Sequence, residues 1–149
     1  MSIRYAHTNI VAKDWQALAD FYMEVFDCKP KPPKRDQSGD WLSKGLGIKN
    51  AHLQGMHLLL PGHGENGPTL EIYQYTELLS KDKGWPNTRG LGHLAFEVED
   101  VSATLAKALA KGASKLGEVS GHSVEGVGYI TFIYIYDPEG NIIELQSWS

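Results

Sequence analysis

The spacing of apolar side chains divides this chain into two runs with the same order of elements. Residues 4–11 alternate well enough for a strand, and from Asp14 onward Trp15, Leu18, Phe21, Tyr22, Val25 and Phe26 recur every three or four residues, the period of a helix. That helix must stop before Pro30. Residues 30–39, with prolines at 30, 32 and 33, predict an exposed loop, because proline removes ladder donors and biases the chain to extended forms. A strand near residues 51–60 then passes through the Gly- and Pro-rich stretch 61–68 into a strand bearing Glu71, a long-looped hairpin. Residues 76–91, which include Trp85-Pro86-Asn87 and Gly90, read as a linker within one domain.

The second run repeats the order. A strand carrying His93 leads to Asp100, which caps a helix with Val101, Leu105, Ala108 and Leu109 on one face and Gly112 near its end. A strand near 115–119, a glycine-rich bend over 121–128 and a strand of aromatic and β-branched residues over 129–136 follow. Asp137-Pro138-Glu139-Gly140-Asn141 then reverses the chain, which pairs that strand with the one bearing Glu144.

Candidate chemistry falls at equivalent places of the two runs. His7 and His93 each stand on an opening strand, each is followed seven residues later by an aspartate, and Glu71 and Glu144 stand on the closing strands. Two imidazoles and two carboxylates are the ligand inventory of a metal site. Strand alternation puts Leu94, Phe96 and Val98 on one face and His93, Ala95 and Glu97 on the other; Ile143 and Leu145 likewise oppose Glu144, and Leu70 and Ile72 oppose Glu71, Tyr73 and Tyr75. The apolar sets can pack under helices, which leaves the candidate ligands on the helix-free faces. The His7 strand is mixed on both faces.

Composition narrows the partners. A chain of 149 residues that is 42% hydrophobic suits one soluble domain, 1–149, and a net charge of -4 gives no basic footprint for nucleic acid. Apolar runs such as Leu58-Leu59-Leu60 are far too short to span a membrane, and the polar start does not resemble a signal peptide, so the expected location is the cytoplasm. Cys28 is the only cysteine and is expected to be a packed or half-exposed thiol. Lys29, Lys31, Lys34 and Arg35 form a basic cluster that offers a contact to a coenzyme A phosphate or another anionic tail, or simply keeps a loop soluble. His52 and His57 on a strand, and His63 and His122 in glycine-rich stretches, are assigned no chemistry.

The segments from Gly90 to Asp100 and from Asp137 to Leu145 resemble the histidine strand and the final turn-and-glutamate strand of the vicinal oxygen chelate superfamily, the glyoxalase, bleomycin-resistance and extradiol dioxygenase group. The resemblance covers essentially the whole chain. It implies an α+β fold of two paired βαβββ modules, about 3–76 and 91–148 joined by a linker at about 77–90, whose curved mixed sheets form an open cleft around a divalent metal. It implies His7, Glu71, His93 and Glu144 as metal ligands, as in the glyoxalase I and methylmalonyl-CoA epimerase branches, with a homodimer as the expected assembly. Glutamate at position 71 is the glyoxalase choice. Where glutathione glyoxalases carry an arginine and an asparagine that bind glutathione, this chain has Asn9 and Tyr75, which points to a different substrate handle.

The chemistry implied is proton transfer beside a carbonyl. A divalent ion (Zn, Ni, Co or Mn, with Fe ranked below them) chelates two neighbouring substrate oxygens, and Glu71 or Glu144 doubles as the base, with Asn9, Tyr73 and Tyr75 at the substrate. Two alternatives are an Fe(II) dioxygenase using His7, His93 and Glu144, and a non-catalytic small-molecule binding or resistance protein.

Overall fold

In the computed structural model, which describes residues 2–149, the chain runs β1 (His7–Val11), α1 (Trp15–Phe26), β2 (Lys29–Ser38), α2 (Asp40–Leu46), β3 (His52–Leu59), β4 (Thr69–Tyr75), β5 (Leu94–Glu97), α3 (Val101–Ala110), β6 (Ser114–Lys115), β7 (Ser120–Val124), β8 (Gly128–Tyr136) and β9 (Ile142–Trp148). This is an α+β architecture with two mixed sheets. The chain divides into two compact units, the first ending at Ser80 and the second beginning at Lys81. Among the described residues no helix is long and apolar enough to cross a membrane.

In the first unit the strand order is β1-β4-β3-β2, with β1 parallel to β4 and the other pairs antiparallel. Asp14 caps α1 as expected, its carboxylate accepting from the Ala17 N–H at 3.1 Å. The helix buries Trp15, Leu18, Phe21, Tyr22, Val25 and Phe26 and packs on β3 and β4. Leu58, Leu70 and Ile72, all fully buried, fill that face of the sheet, each contributing about 2 kcal/mol of apolar burial. The Trp15 N–H donates to Gln74 Oε1 at 3.1 Å and fixes the helix start against β4. Cys28 is a packed thiol that burial, with help from Asp27, pushes up to about 12.

The loop expected over 30–39 is instead the edge strand β2. An edge strand uses only one side of its backbone for pairing, so proline is tolerated there, and the ladder with β3 shifts register between Lys31 and Arg35, where Pro32 and Pro33 stand. Exposure was correctly expected; the extended pairing was not. The segment then folds into α2, whose Leu42 packs with Ala51, Leu53 and Tyr73. Ser43 Oγ accepts the Ala51 N–H at 3.0 Å, tying α2 to the start of β3.

In the second unit the order is β5-β9-β8-β6, with β7 also pairing β8. Asp100 caps α3 through the Ala103 N–H at 2.9 Å, and its backbone angles, φ -135 and ψ 106, nearly match those of Asp14 at -135 and 92. The sequence repeat is therefore a repeat of helix entry. The strand expected over 115–119 contracts to the two residues of β6, and the main strand β7 runs through part of the expected bend, pairing Gly121 with Thr131. Glycine weakens a strand in general, but at position 121 it leaves room for the Tyr129 side chain, because a Cβ there would lie 2.4 Å from the Tyr129 hydroxyl oxygen. The final turn is built around buried Asp137, whose Oδ1 accepts the N–H groups of Glu139 and Asn141 at 2.8 and 2.9 Å. Gly140 supplies the positive φ of 88° that closes it, and β9 begins in a fixed register.

Candidate metal centre

Glu71 stands at the centre of the first unit's sheet face opposite α1; the expectation that this face carries no helix holds only in part, because α2 covers its end with Leu42 packed on Leu53 and Tyr73. Alternation along β4 sends Leu70 and Ile72 under α1 and Glu71 to the opposite side, where the register places Asn9 of β1 and His57 of β3 directly beside it. The carboxylate is 8% exposed and is fully partnered: Asn9 Nδ2 donates to Oε1 at 2.9 Å, His7 Nε2 lies 3.4 Å from Oε1, His57 Nε2 lies 2.7 Å from Oε2, and the Tyr73 hydroxyl donates to it. A buried carboxylate without such partners is costly. The His7 and His57 rings meet edge to face with centroids 5.5 Å apart.

Ligand atoms from His7, His57 and Glu71 all lie within 4.8 Å of one another. Two imidazole nitrogens and a carboxylate oxygen suit Zn(II), Mn(II), Fe(II), Co(II) or Ni(II), and three protein donors leave positions for substrate oxygens. Burial is the largest cause holding the His57 pKa below its ordinary value, outweighing the nearby Glu71 charge, and Arg35, His7 and Lys31 add to the lowering. A neutral imidazole has the lone pair a metal requires. His57 Nδ1 is 2.7 Å from Thr69 Oγ1, so the hydroxyl can orient the ring and set its tautomer while Nε2 faces Glu71.

His57 was not among the expected site residues. The signal was present in the expected hairpin, since pairing residues 52–59 with 69–75 sets position 57 opposite 71, but the pairing register had to be known first. Tyr73 and Tyr75 stand on the expected face. Tyr73 is buried with Leu42, Ala51 and Leu53, and Tyr75 packs against that group, so the two form the end wall of the face beneath α2. Burial first, and the Glu71 charge with it, raises both phenol pKa values, so each stays a hydrogen-bond donor at neutral pH. Gly55 makes room for this wall: a Cβ there would lie 2.1 Å from the Ile72 carbonyl oxygen and 2.6 Å from the Tyr73 ring.

The second unit has the corresponding pair. His93 directly precedes β5, and its Nε2 lies 3.2 Å from Glu144 Oε2 and 3.4 Å from the Tyr134 hydroxyl. The register places Ala95 on one side of Glu144 and Tyr134 on the other. Desolvation, then the Glu144 charge, raises the Tyr134 pKa. Among the described residues nothing hydrogen-bonds to Glu144 Oε1. The structure thus brings His7 and Asn9 to Glu71 in one unit and His93 to Glu144 in the other. Of the remaining histidines, His52 pairs with Asp36 at 2.6 Å, and His63 and His122 are exposed.

The family model for the Glyoxalase/Bleomycin resistance protein/Dioxygenase superfamily matches residues 4–145. Among solved structures, a glyoxalase family protein from Bacillus cereus is similar with a TM-score of 0.84 at 20% identity, covering 99% of this chain and 95% of that one. FosX, a genomically encoded fosfomycin resistance protein from Listeria monocytogenes solved with Mn(II) and sulfate, gives a TM-score of 0.54 at 17% identity over 100% of this chain and 95% of its own. A glyoxalase I variant from Zea mays gives 0.65 at 23% identity over 96% of this chain and 44% of its own. No curated protein matches the sequence. At these identities the structural likeness speaks for the fold.

Proposed function

Because the chain belongs to the Glyoxalase/Bleomycin resistance protein/Dioxygenase superfamily, we propose that it is a divalent-metal-dependent isomerase, lyase or epimerase that moves a proton at the carbon next to a carbonyl. The observation that carries this reading is the convergence of His7, His57 and Glu71 donor atoms within 4.8 Å on the sheet face opposite α1. The proposed ligands are drawn from His7, Glu71, His93 and Glu144, with His57 added, at most four of them binding at once so that two positions of a six-coordinate ion stay open to substrate. When bound, the metal supplies Lewis acidity to a pair of neighbouring substrate oxygens.

The residues divide the remaining work. Glu71 is held by Asn9, His57 and Tyr73, so both its oxygens are committed and it serves to fix geometry. Glu144 keeps Oε1 without a hydrogen bond among the described residues, which favours it as the group that takes the proton and returns it. Tyr73 stays protonated and donates its hydrogen to Glu71, while Tyr75, also protonated, is the one left to donate to a substrate oxygen. Asn9, where a glutathione-binding arginine would be expected, orients Glu71 instead and argues for a substrate other than a glutathione adduct.

The test is elemental analysis of protein purified without a chelating tag, followed by solvent-deuterium exchange into 2-oxo acids and acyl-CoA thioesters. Bound nickel, cobalt, manganese or zinc with exchange that stops on chelation and in Glu144→Gln is the expected result. Exchange that continues without metal overturns the mechanism, and so does an exchange-competent Glu144→Gln. A second reading, an Fe(II) oxygenase, is favoured by one observation: the donor set of the first unit is two histidines and one carboxylate. Bound iron with substrate-dependent oxygen uptake would select it.

A further inference from the structure

The basic run that the sequence reads either as a contact for an anionic tail or as a solubilising segment is sorted by the β2 register into two populations. Lys34 turns toward α1, with its Nζ 5.9 Å from the Trp15 ring centroid. Lys31 pairs with His57 and Arg35 pairs with Gly55, and paired residues of an antiparallel ladder present their side chains on the same face. The shift between them advances four residues along β2 for two along β3. Because the two extra residues are an even number, both cations stay on the face of Glu71; a single extra residue would have sent Arg35 beneath the helix.

Both cations lack carboxylate partners. Lys31 Nζ donates to the Glu65 carbonyl at 3.2 Å and Arg35 donates to the Pro33 carbonyl; neither forms a salt bridge with a side chain among the described residues. Arg35 is half-buried, which is costly for a cation without a counter-charge. Their charges reach the site, since both act on His57, and Arg35 also acts on Tyr73. Asp36, the adjacent acid, points to the opposite face, where His52 and Gln54 hold it.

We propose that Lys31 and Arg35 form an anion-binding edge for the substrate, which is therefore a small acid whose carboxylate or phosphoryl group docks on β2 while its reacting end lies at His7, His57 and Glu71. Their pairing partners are two residues apart on β3, which spaces the two cation stems about 7 Å along the strand, the reach of one dianionic group. Arg35 supplies a planar fork for two oxygens and Lys31 a mobile point charge. The inference rests on reading this sheet face as the substrate site, and it adds the chemical class of what binds there.

The experiment titrates chelator-treated full-length protein with inorganic phosphate and, separately, with malonate by calorimetry, comparing wild type with Lys31→Gln/Arg35→Gln and with the charge-keeping pair Lys31→Arg/Arg35→Lys. The expected result is saturable binding of at least one anion, weakened about tenfold or more in the neutral pair and largely kept in the charge-keeping pair. Preference for phosphate identifies a phosphoryl group as the handle, and preference for malonate a carboxylate. Equal affinity in wild type and the neutral pair, or no binding of either anion, overturns the proposal. A parallel Mn(II) titration separates the two readings: the neutral pair keeps its Mn(II) affinity if the metal centre is sound, whereas failure of wild type to bind Mn(II) counts against the metal-dependent function and leaves the anion result standing.

Discussion

The two units build the same scaffold around a histidine and a glutamate but place different third side chains against the carboxylate. In the first, β3 sets His57 opposite Glu71; in the second, β8 sets Tyr134 opposite Glu144. The histidine–carboxylate distances are alike, with Nε2 at 3.4 Å in one and 3.2 Å in the other, while on the remaining flank Asn9 stands beside Glu71 and Ala95 beside Glu144. One position therefore distinguishes a three-donor cluster from a two-donor pair with a phenol. Surroundings differ as well: Glu71 is buried and partnered at both oxygens, while Glu144 is half-buried and keeps one oxygen unbonded among the described residues. A duplicated fold thus holds its two carboxylates in unequal surroundings, one bonded at both oxygens and one with an oxygen left unbonded among the described residues.

The largest expected effect comes from removing the fixed carboxylate. Glu71→Ala should lower Mn(II) affinity at least about 100-fold and leave His57 and Asn9 without their shared acceptor, whereas Glu144→Ala should lower affinity about 10-fold. Calorimetric titration of both variants checks this, and the reverse order would break the proposed division of roles. An exchange of the distinguishing residues sharpens the comparison further. His57→Tyr should weaken metal binding about 10-fold, and Tyr134→His should give the second unit two imidazoles beside a carboxylate and raise bound Zn(II) per chain. Unchanged metal content in both variants would mean that the third side chain does not distinguish the units.

The smallest effect is a pH dependence confined to the first unit. His57 has its pKa lowered from 6.5 in the folded chain, chiefly by burial, so the unfolded chain takes up this proton first as the pH falls. Its contribution to stability is whole above about 6.5 and is lost as the pH falls through the folded-state value. Urea midpoints of metal-free wild type should therefore drop between pH 7.5 and 5.5 by more than those of His57→Tyr. Equal drops would show that this imidazole is not the group responsible.

The opening strands, helices α1 and α3, both aspartate caps and the final turn were legible because each rests on local chemistry: apolar periodicity, a short side chain bonding its own helix, proline and glycine in a turn. Residues 30–39 were not, since proline argues against a ladder locally, and only pairing at the sheet edge, with the prolines at the register shift, makes β2 possible. His57 was hidden for a related reason. Its neighbours in sequence give no hint of a partner, and its role comes from standing across from Glu71 in another strand.

The sequence by itself determined the helices and strands that carry His7, Glu71, His93 and Glu144, because residue chemistry and hydrophobic period are properties of short segments. Tertiary structure alone decided which side chains share a face with Glu71, bringing His57 to its carboxylate and Lys31 and Arg35 to its flank. Register is a relation between distant strands, and an even or odd number of residues at a bulge decides whether a charge faces the site or the core.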